Sequence, residues 1–395
     1  MLTHRLTYFI ECEIPMSTIQ NIDPLCSTID FDLHALVGGI NILDAVKPLN
    51  YLEEKSKFFE QHYSSNPVFV YQEHNIDPFT LKRGLFNLPV EKIHDEDLRR
   101  LYMAVIDSYV DKVDQYKSIG TPEFLYDSLR YYGEPSEKDL QNAQFILHLP
   151  DISTDNEHTM VDAQGIEKIL AEMIEQENYA CDIMFDETMI ANAQVSGTNI
   201  RINPSAMLSS IDSHALAHHE LGVHIVTSLN ARQQPLRILS LGCPINTMTQ
   251  EGMAILSEYL SGNLQPQRLK MLALRVIAVK SMIEDKNFRT TFLILKETYN
   301  VSDEQAYTIT ARVYRGGGYT KDYLYLQGFS LILNAYEREP KFNNLLAGKT
   351  SLEYLPLISR LIDKEVLVAP QFITPAFRTP VKNDDVNTFI THAIR

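Results

Sequence analysis

Four of the twelve histidines, His214, His218, His219 and His224, fall within eleven residues of one another. The stretch holding the last two reads H-E-L-G-V-H, with Glu220 directly after His219. Two imidazoles and a carboxylate in this order suit a metal-dependent hydrolase: the rings bind the ion, and the acid beside the first ring reaches the attacking water. In the common H-E-x-x-H arrangement the histidines are four residues apart, about 40° around a helix, and converge. Here they are five apart, about 140° on an ideal helix, so the rings would diverge. A π-turn that absorbs the extra residue returns His224 to the face of His219. Gly222, lying between them, eases such a distortion because it has no side chain. His214 and His218, four apart, form a rival pair that needs no distortion, but Ala215 stands where the acid should be. On spacing alone the two pairs are nearly equal.

A hydrolytic zinc site needs a third protein ligand and an open position for water. The segment T-Q-E-G-M-A-I-L-S-E-Y offers Glu251 and Glu258, two turns apart and able to share one helix face. Glu251 is the better ligand, because Gly252 beside it admits close approach by a metal or another backbone. Glu258 would then orient His219 or His224 through the other ring nitrogen.

The elements that must carry these residues are mostly helical. Apolar residues at helical spacing predict helices over 36–63 and 95–116 (Leu98, Leu101, Val105, Tyr109, Val113), with shorter ones over 122–132 and 136–147. The polar, aperiodic stretch 149–158 is the expected boundary. It divides the chain into an N-terminal extension (1–35), an N-terminal helical region (36–150) and a catalytic domain (151–395). After it come a helix over 161–176, strands over 179–185 and 198–203, and the histidine helix over 209–230. Further helices are expected over 247–260, 266–298, 303–314 and 321–336. The fold class is therefore α+β, predominantly helical with a small sheet.

The 395 residues are 45% hydrophobic and 22% charged, the composition of a globular chain. Cys12, Cys26, Cys181 and Cys243 form no C-x-x-C pair, which excludes a zinc ribbon and a secreted disulfide framework. Glu11 and Glu13 interrupt the start before a signal sequence develops, and no run reaches the roughly 18 apolar residues of a membrane span. A cytoplasmic location is expected, with Met16 as an alternative start. The net charge of −16 argues against partnership with nucleic acid or an anionic membrane. Residues 263–321 depart from that balance, with ten Lys/Arg against five Asp/Glu. They suggest a site for a carboxylate-bearing partner or, equally, basic solvated helix faces.

H-E-L-G-V-H followed by Q-E-G-M-A resembles the metallopeptidase family of the microtubule-associated tyrosine carboxypeptidase, whose bacterial members are the QEGLA-motif, flavohemoglobin expression-modulating proteins. N-P-V-F-V-Y near residue 66, N-A-R-Q-Q-P after the histidine helix, R-V-Y-R-G-G and T-K-D-Y-L-Y-L-Q-G are similar to further segments of that family. Together they span most of residues 36–340. The resemblance implies a zincin-like core with one zinc ion held by His219, His224 and Glu251, and Glu220 as the catalytic acid/base. It also implies removal of a C-terminal Tyr or Phe from a peptide or protein. Met253 replaces the Leu of the family motif, a volume-conserving change.

An exopeptidase must read the terminal carboxylate, and a bidentate arginine is the natural reader. Arg312, Arg315 and Lys321 flank Gly316-Gly317-Gly318, with Arg315 the first candidate. The glycines alone read as a flexible turn. Any of Tyr319, Tyr323 and Tyr325 could stabilise an oxyanion, though each reads first as a packing residue. The competing function is a metal-binding regulatory or interaction protein without peptidase activity. Glu220 speaks for the enzyme, since a structural zinc site has no use for a free carboxylate beside an open position. A hydrolase of non-peptide amides or esters would keep the site and change the pocket.

Overall fold

The computed structural model describes residues 22–73, 76–150, 159–187, 189 and 191–394. Cys12, Met16 and most of the expected boundary at 149–158 lie outside the described residues. The chain is mainly helical with two small sheets, an α+β arrangement.

The first half is a set of capped helices: α1 (Pro24–Val37), α2 (Tyr51–Glu60), α3 (Pro78–Phe86), α4 (Glu96–Ser118), α5 (Glu123–Tyr132) and α6 (Glu137–Leu147). Asp23, Asp77 and Asp95 each accept backbone N–H groups at the start of α1, α3 and α4, and Ser136 with Asp139 forms a capping box on α6. The single helix expected over 36–63 is broken. Helix α1 ends at Gly38, a short turn covers Ile42–Ala45, and α2 starts only after Pro48, whose missing N–H and ring oppose a continuous helix.

Strand β1 (Met160–Asp162) pairs antiparallel with β5 (Met207–Ser209) around α7 (Ala163–Glu177). The other sheet has the order β2 (Asp182–Phe185), β4 (Asn199–Ile202), β3 (Ala193–Ser196), with β2 parallel and β3 antiparallel to β4. Gly197, at φ +62°, turns the β3–β4 hairpin.

Helix α8 (Ser210–His219) runs through a π-helical turn (Glu220–Ile225) into Val226–Arg232. It is followed by α9 (Asn246–Leu260), α10 (Pro266–Asp285), α11 (Phe288–Leu293), α12 (Asp303–Tyr314), α13 (Leu324–Arg338), α14 (Leu355–Asp363) and α15 (Asp385–Ala393). The helix expected over 266–298 bends at Lys286, which takes a left-handed conformation between α10 and α11.

Helix α9 is buried along nearly its whole length from Thr249. It crosses α13 where two glycines meet: a Cβ on Gly252 would lie 2.5 Å from the Gly328 carbonyl oxygen. One large core joins α5 and α7 through α13, and a second joins α1 and α4 to Leu236, Ile238, Cys243, Leu357 and Leu361. Both cores take side chains from either side of residue 150, and α1 begins before residue 36. Buried Asp30 shows the link: its carboxylate accepts the N–H groups of Arg237 and Ile238 and the Tyr102 hydroxyl. No helix among the described residues is long and apolar enough to cross a membrane.

Candidate metal centre and its cleft

The π-turn covers the segment between His219 and His224 and brings the two rings to one face, with centroids 5.1 Å apart. Gly222 is wedged in this turn. A Cβ there would come within 3.1 Å of the Ser257 hydroxyl, and its carbonyl accepts the Thr374 hydroxyl at 2.7 Å. The widened turn thus has an external partner for its backbone, supplied from 152 residues downstream.

Glu251 on α9 faces both rings. Its Oε2 lies 3.4 Å from His219 Nε2 and 3.6 Å from His224 Nε2, and one ligand atom from each of the three residues falls within a 4.8 Å cluster. Tetrahedral zinc, with bonds of roughly 2.0–2.2 Å, sets its ligand atoms about 3.3–3.6 Å apart. The two nitrogen–oxygen separations match that geometry, and the two nitrogens lie within 4.8 Å of each other.

Each ligand is held from behind. The His219 Nδ1 donates to Glu258 Oε1 at 2.7 Å, which leaves Nε2 for the ion. Glu258 in turn accepts Nε and Nη2 of Arg268 at 3.2 and 3.1 Å. The second oxygen of Glu251 accepts Lys321 Nζ at 2.9 Å, and the same ammonium donates to the Tyr325 hydroxyl at 2.9 Å. Lys349 donates to the His224 carbonyl at 3.0 Å and to the Thr227 hydroxyl at 2.9 Å.

These contacts set the charges. Burial works against a charged His219, but hydrogen bonds to Glu251 and Glu258 push its pKa up to about 10. Burial likewise opposes the Glu251 and Glu258 carboxylates; Lys321 and the histidines hold the first well below its ordinary value, and Arg268 and His219 hold the second at about 2. A cluster that binds a proton this firmly has the charge to bind a cation in its place.

The ligand atoms open on a cleft of about 450 Å³. Glu220 lines it next to His219 and is itself largely buried. Leu43, Pro48 and Tyr51 of the N-terminal helical region form part of the wall, as do Ala193 and Val195 of β3.

Arg312, Arg315 and Lys321 all line the cleft but are differently engaged. Arg312 forms a two-pronged pair with buried Asp322, at 2.6 and 3.1 Å, and Lys321 is committed to Glu251 and Tyr325. Arg315 stacks on the Tyr319 ring at 4.9 Å, its Nη2 is 4.0 Å from Asp322, and its Nε has no hydrogen-bond partner among the described residues. Arg268, Arg312 and Lys321 of the basic stretch over 263–321 therefore neutralise buried acids of the chain itself, and Arg315 retains donors for a ligand.

The three glycines after Arg315 are not a flexible turn. All have positive φ, and a Cβ on Gly316 or Gly317 would strike Phe124 at 2.6 Å or the Thr121 carbonyl at 2.2 Å. They let the loop lie flat against the start of α5, where Gly120 N–H donates to the Gly316 carbonyl at 2.7 Å and Gly316 N–H donates to the Tyr71 hydroxyl at 2.8 Å. This packing fixes the backbone that carries Arg315.

His214 and His218 do not line the cleft; the His214 ring bonds to the Ser210 carbonyl one turn back. Tyr319 and Tyr323 pack against Tyr132, whereas Tyr325 reaches the cleft. Arg268, Lys349 and Thr374 were missed by sequence reasoning. Each meets its partner through tertiary contact, and only the local excess of basic residues pointed toward Arg268.

The family model of the microtubule-associated tyrosine carboxypeptidase matches residues 56–395. The chain belongs to that family. The family implies an activity of the tyrosine carboxypeptidase type. No functionally curated protein matches the sequence significantly. Among solved structures, a protein described as a lipoprotein of Colwellia psychrerythraea aligns over 72% of this chain and 66% of its own, at 13% identity and a TM-score of 0.42. A lipoprotein of unknown function from Shewanella oneidensis aligns over 78% of this chain and 64% of its own, at 16% identity and a TM-score of 0.34. The chain thus spans just under two thirds of the length of each, and neither superposition is close enough to define its fold.

Proposed function

We propose that the protein is a zinc-dependent metallocarboxypeptidase of the H-E-x-x-x-H type that removes a C-terminal Tyr or Phe from a peptide or protein. The observation that carries the reading is the convergence of His219, His224 and Glu251 in one cluster, with both nitrogen–oxygen separations at values that suit tetrahedral zinc and Glu220 on the same cleft wall. A zincin-like site of this kind is the arrangement the family match leads one to expect.

In this reading His219, His224 and Glu251 hold the ion, whose chemistry there is to acidify water and polarise the scissile carbonyl. Glu258 and Lys321 keep His219 and Glu251 aimed. Glu220 accepts the proton of the attacking water and delivers it to the departing amine. Arg315 pairs with the terminal carboxylate, and the wall of Leu43, Pro48 and Tyr51 receives an aromatic side chain. Reduced thiols at Cys26, Cys181 and Cys243 suit a cytoplasmic location.

Elemental mass spectrometry of the purified protein with zinc, beside peptide cleavage, tests this. One zinc per chain is expected, lost in His219→Ala and retained in Glu220→Gln, whose turnover of Tyr-ending peptides should fall about 10²–10⁴-fold. A protein that takes up no metal would overturn the reading. One that binds zinc yet leaves every peptide intact would favour the metal-binding regulatory protein, and cleavage of C-terminally amidated substrates would favour a general amide hydrolase.

A further inference from the structure

We propose that Tyr325 is the oxyanion donor of this cleft, with Lys321 as its positioning residue; this rests on the peptidase reading above. The two lie four residues apart, Lys321 in the 3₁₀ turn Thr320–Tyr323 that runs directly into α13 and Tyr325 in the first turn of that helix. The Lys321 ammonium donates to the Tyr325 oxygen and to Glu251 Oε1, each at 2.9 Å, so the hydroxyl sits two hydrogen bonds from a proposed zinc ligand. An ammonium has protons to give and no lone pair to accept with. The Tyr325 oxygen is therefore occupied as an acceptor, and its own proton must go elsewhere. Among the described residues no acceptor meets it, and the side chain, 8% exposed, lines the cleft.

Three other cleft hydroxyls are spent. Ser228, Ser240 and Thr308 donate to the carbonyls of His224, Arg237 and Glu304. Tyr325 is also held rigidly, with the Arg275 guanidinium over its ring at 5.1 Å. A fixed O–H dipole, backed by a buried cation and aimed into a low-dielectric cleft, is the device that stabilises charge appearing on a carbonyl oxygen.

Water loses a proton to Glu220 and its oxygen bonds to the carbonyl carbon, while the carbonyl π pair moves onto oxygen. Tyr325 hydrogen-bonds that oxyanion and keeps its proton. The pair then re-forms the C=O bond, the C–N bond breaks, and the amine takes the proton from Glu220.

Tyr325→Phe preserves the ring and its contacts and removes the donor alone. In the full-length, zinc-loaded protein, kcat for a peptide with a free C-terminal Tyr should fall about 10²–10³-fold, with KM and zinc content unchanged. By calorimetry the variant should bind a Tyr-ending phosphinic pseudopeptide, a mimic of the tetrahedral state, about 10²-fold more weakly, and the product peptide as before. Equal kcat and equal phosphinate affinity in the two proteins would overturn the assignment while leaving the peptidase reading intact. A loss that tracks lost zinc or a higher KM would reduce Tyr325 to a structural role. If the wild-type protein neither cleaves the peptide nor binds the phosphinate, the peptidase reading and the assignment fall together.

Discussion

Gly252 rests on the backbone of Gly328, so closely that a methyl group on either residue would meet a carbonyl oxygen, at 2.5 Å on Gly328 or at 2.2 Å on Met248. This contact sets the crossing of α9 and α13, and with it the reach of Lys321 and Tyr325 toward Glu251. Gly252→Ala should force the helices apart at a cost of about 1–3 kcal/mol. The midpoint of urea unfolding should drop, and zinc affinity should drop with it. A variant with wild-type midpoint would show that the crossing tolerates a side chain.

Glu258 reaches the proposed metal site through His219. Glu258→Gln keeps a hydrogen-bond acceptor but loses the charge that Arg268 and the imidazole share. Zinc affinity, read by competition with a chelator, should weaken about 10–100-fold. Unchanged affinity would mean that the His219 ring is oriented by packing alone.

Arg315 is a largely buried cleft cation with donors to spare. Arg315→Ala should raise KM for a Tyr-ending peptide about 10–100-fold, the value of a charge-assisted hydrogen bond of roughly 1.5–3 kcal/mol. A peptide with an amidated C-terminus should be a poor substrate for both proteins. If the variant handles the free-acid peptide like the wild type, the carboxylate is read elsewhere.

Asp322 ties stability to pH. Burial opposes its charge, yet Arg312, Arg275 and Arg315 hold its carboxyl well below the usual carboxylate range. In the unfolded chain the group titrates near 3.9. Because the folded value is the lower one, its contribution is complete above the unfolded value and fades as pH falls toward the folded value. At pH 7, Asp322→Asn should lose about 3–5 kcal/mol, since it leaves Arg312 buried without its partner. At pH 3 the gap between variant and wild type in denaturant unfolding should narrow. A gap independent of pH would assign the loss to packing.

The residues that chemistry constrains were legible early. H-E-L-G-V-H forced a choice between diverging rings and a widened turn, and the widened turn is present from Glu220 to Ile225. Gly252 announced a close approach, which proves to be by another backbone. The periodic helices α4 to α6 were read nearly to the residue because their apolar spacing and caps agree. Strands β1, β3 and β5, three or four residues each, were not, although β2 and β4, no longer, fall within the expected strands. Nor was the role of the glycines at 316–318, because a glycine required by a neighbour's carbonyl looks the same in sequence as one that permits motion. The pairing of Arg268 with Glu258 and of Arg312 with Asp322 had no local signature either. Each is a decision of the tertiary fold about which cations remain free.

The hydroxyl of Thr374 on the carbonyl of Gly222 has a consequence for the order of events during synthesis. The ring-bearing turn is translated 152 residues before the group that caps it, an interval of roughly eight to thirty seconds at about 5–20 residues per second. Lys349, which braces the His224 carbonyl, also arrives late. A nascent chain therefore carries its histidines and Glu251 before the contacts that shape them exist, and the proposed metal centre has its full bracing only once Thr374 has been made. Truncation before Thr374 should yield a chain with every proposed ligand but with the Gly222 carbonyl of the widened turn left without its cap, and its zinc affinity should be weaker than that of the full chain.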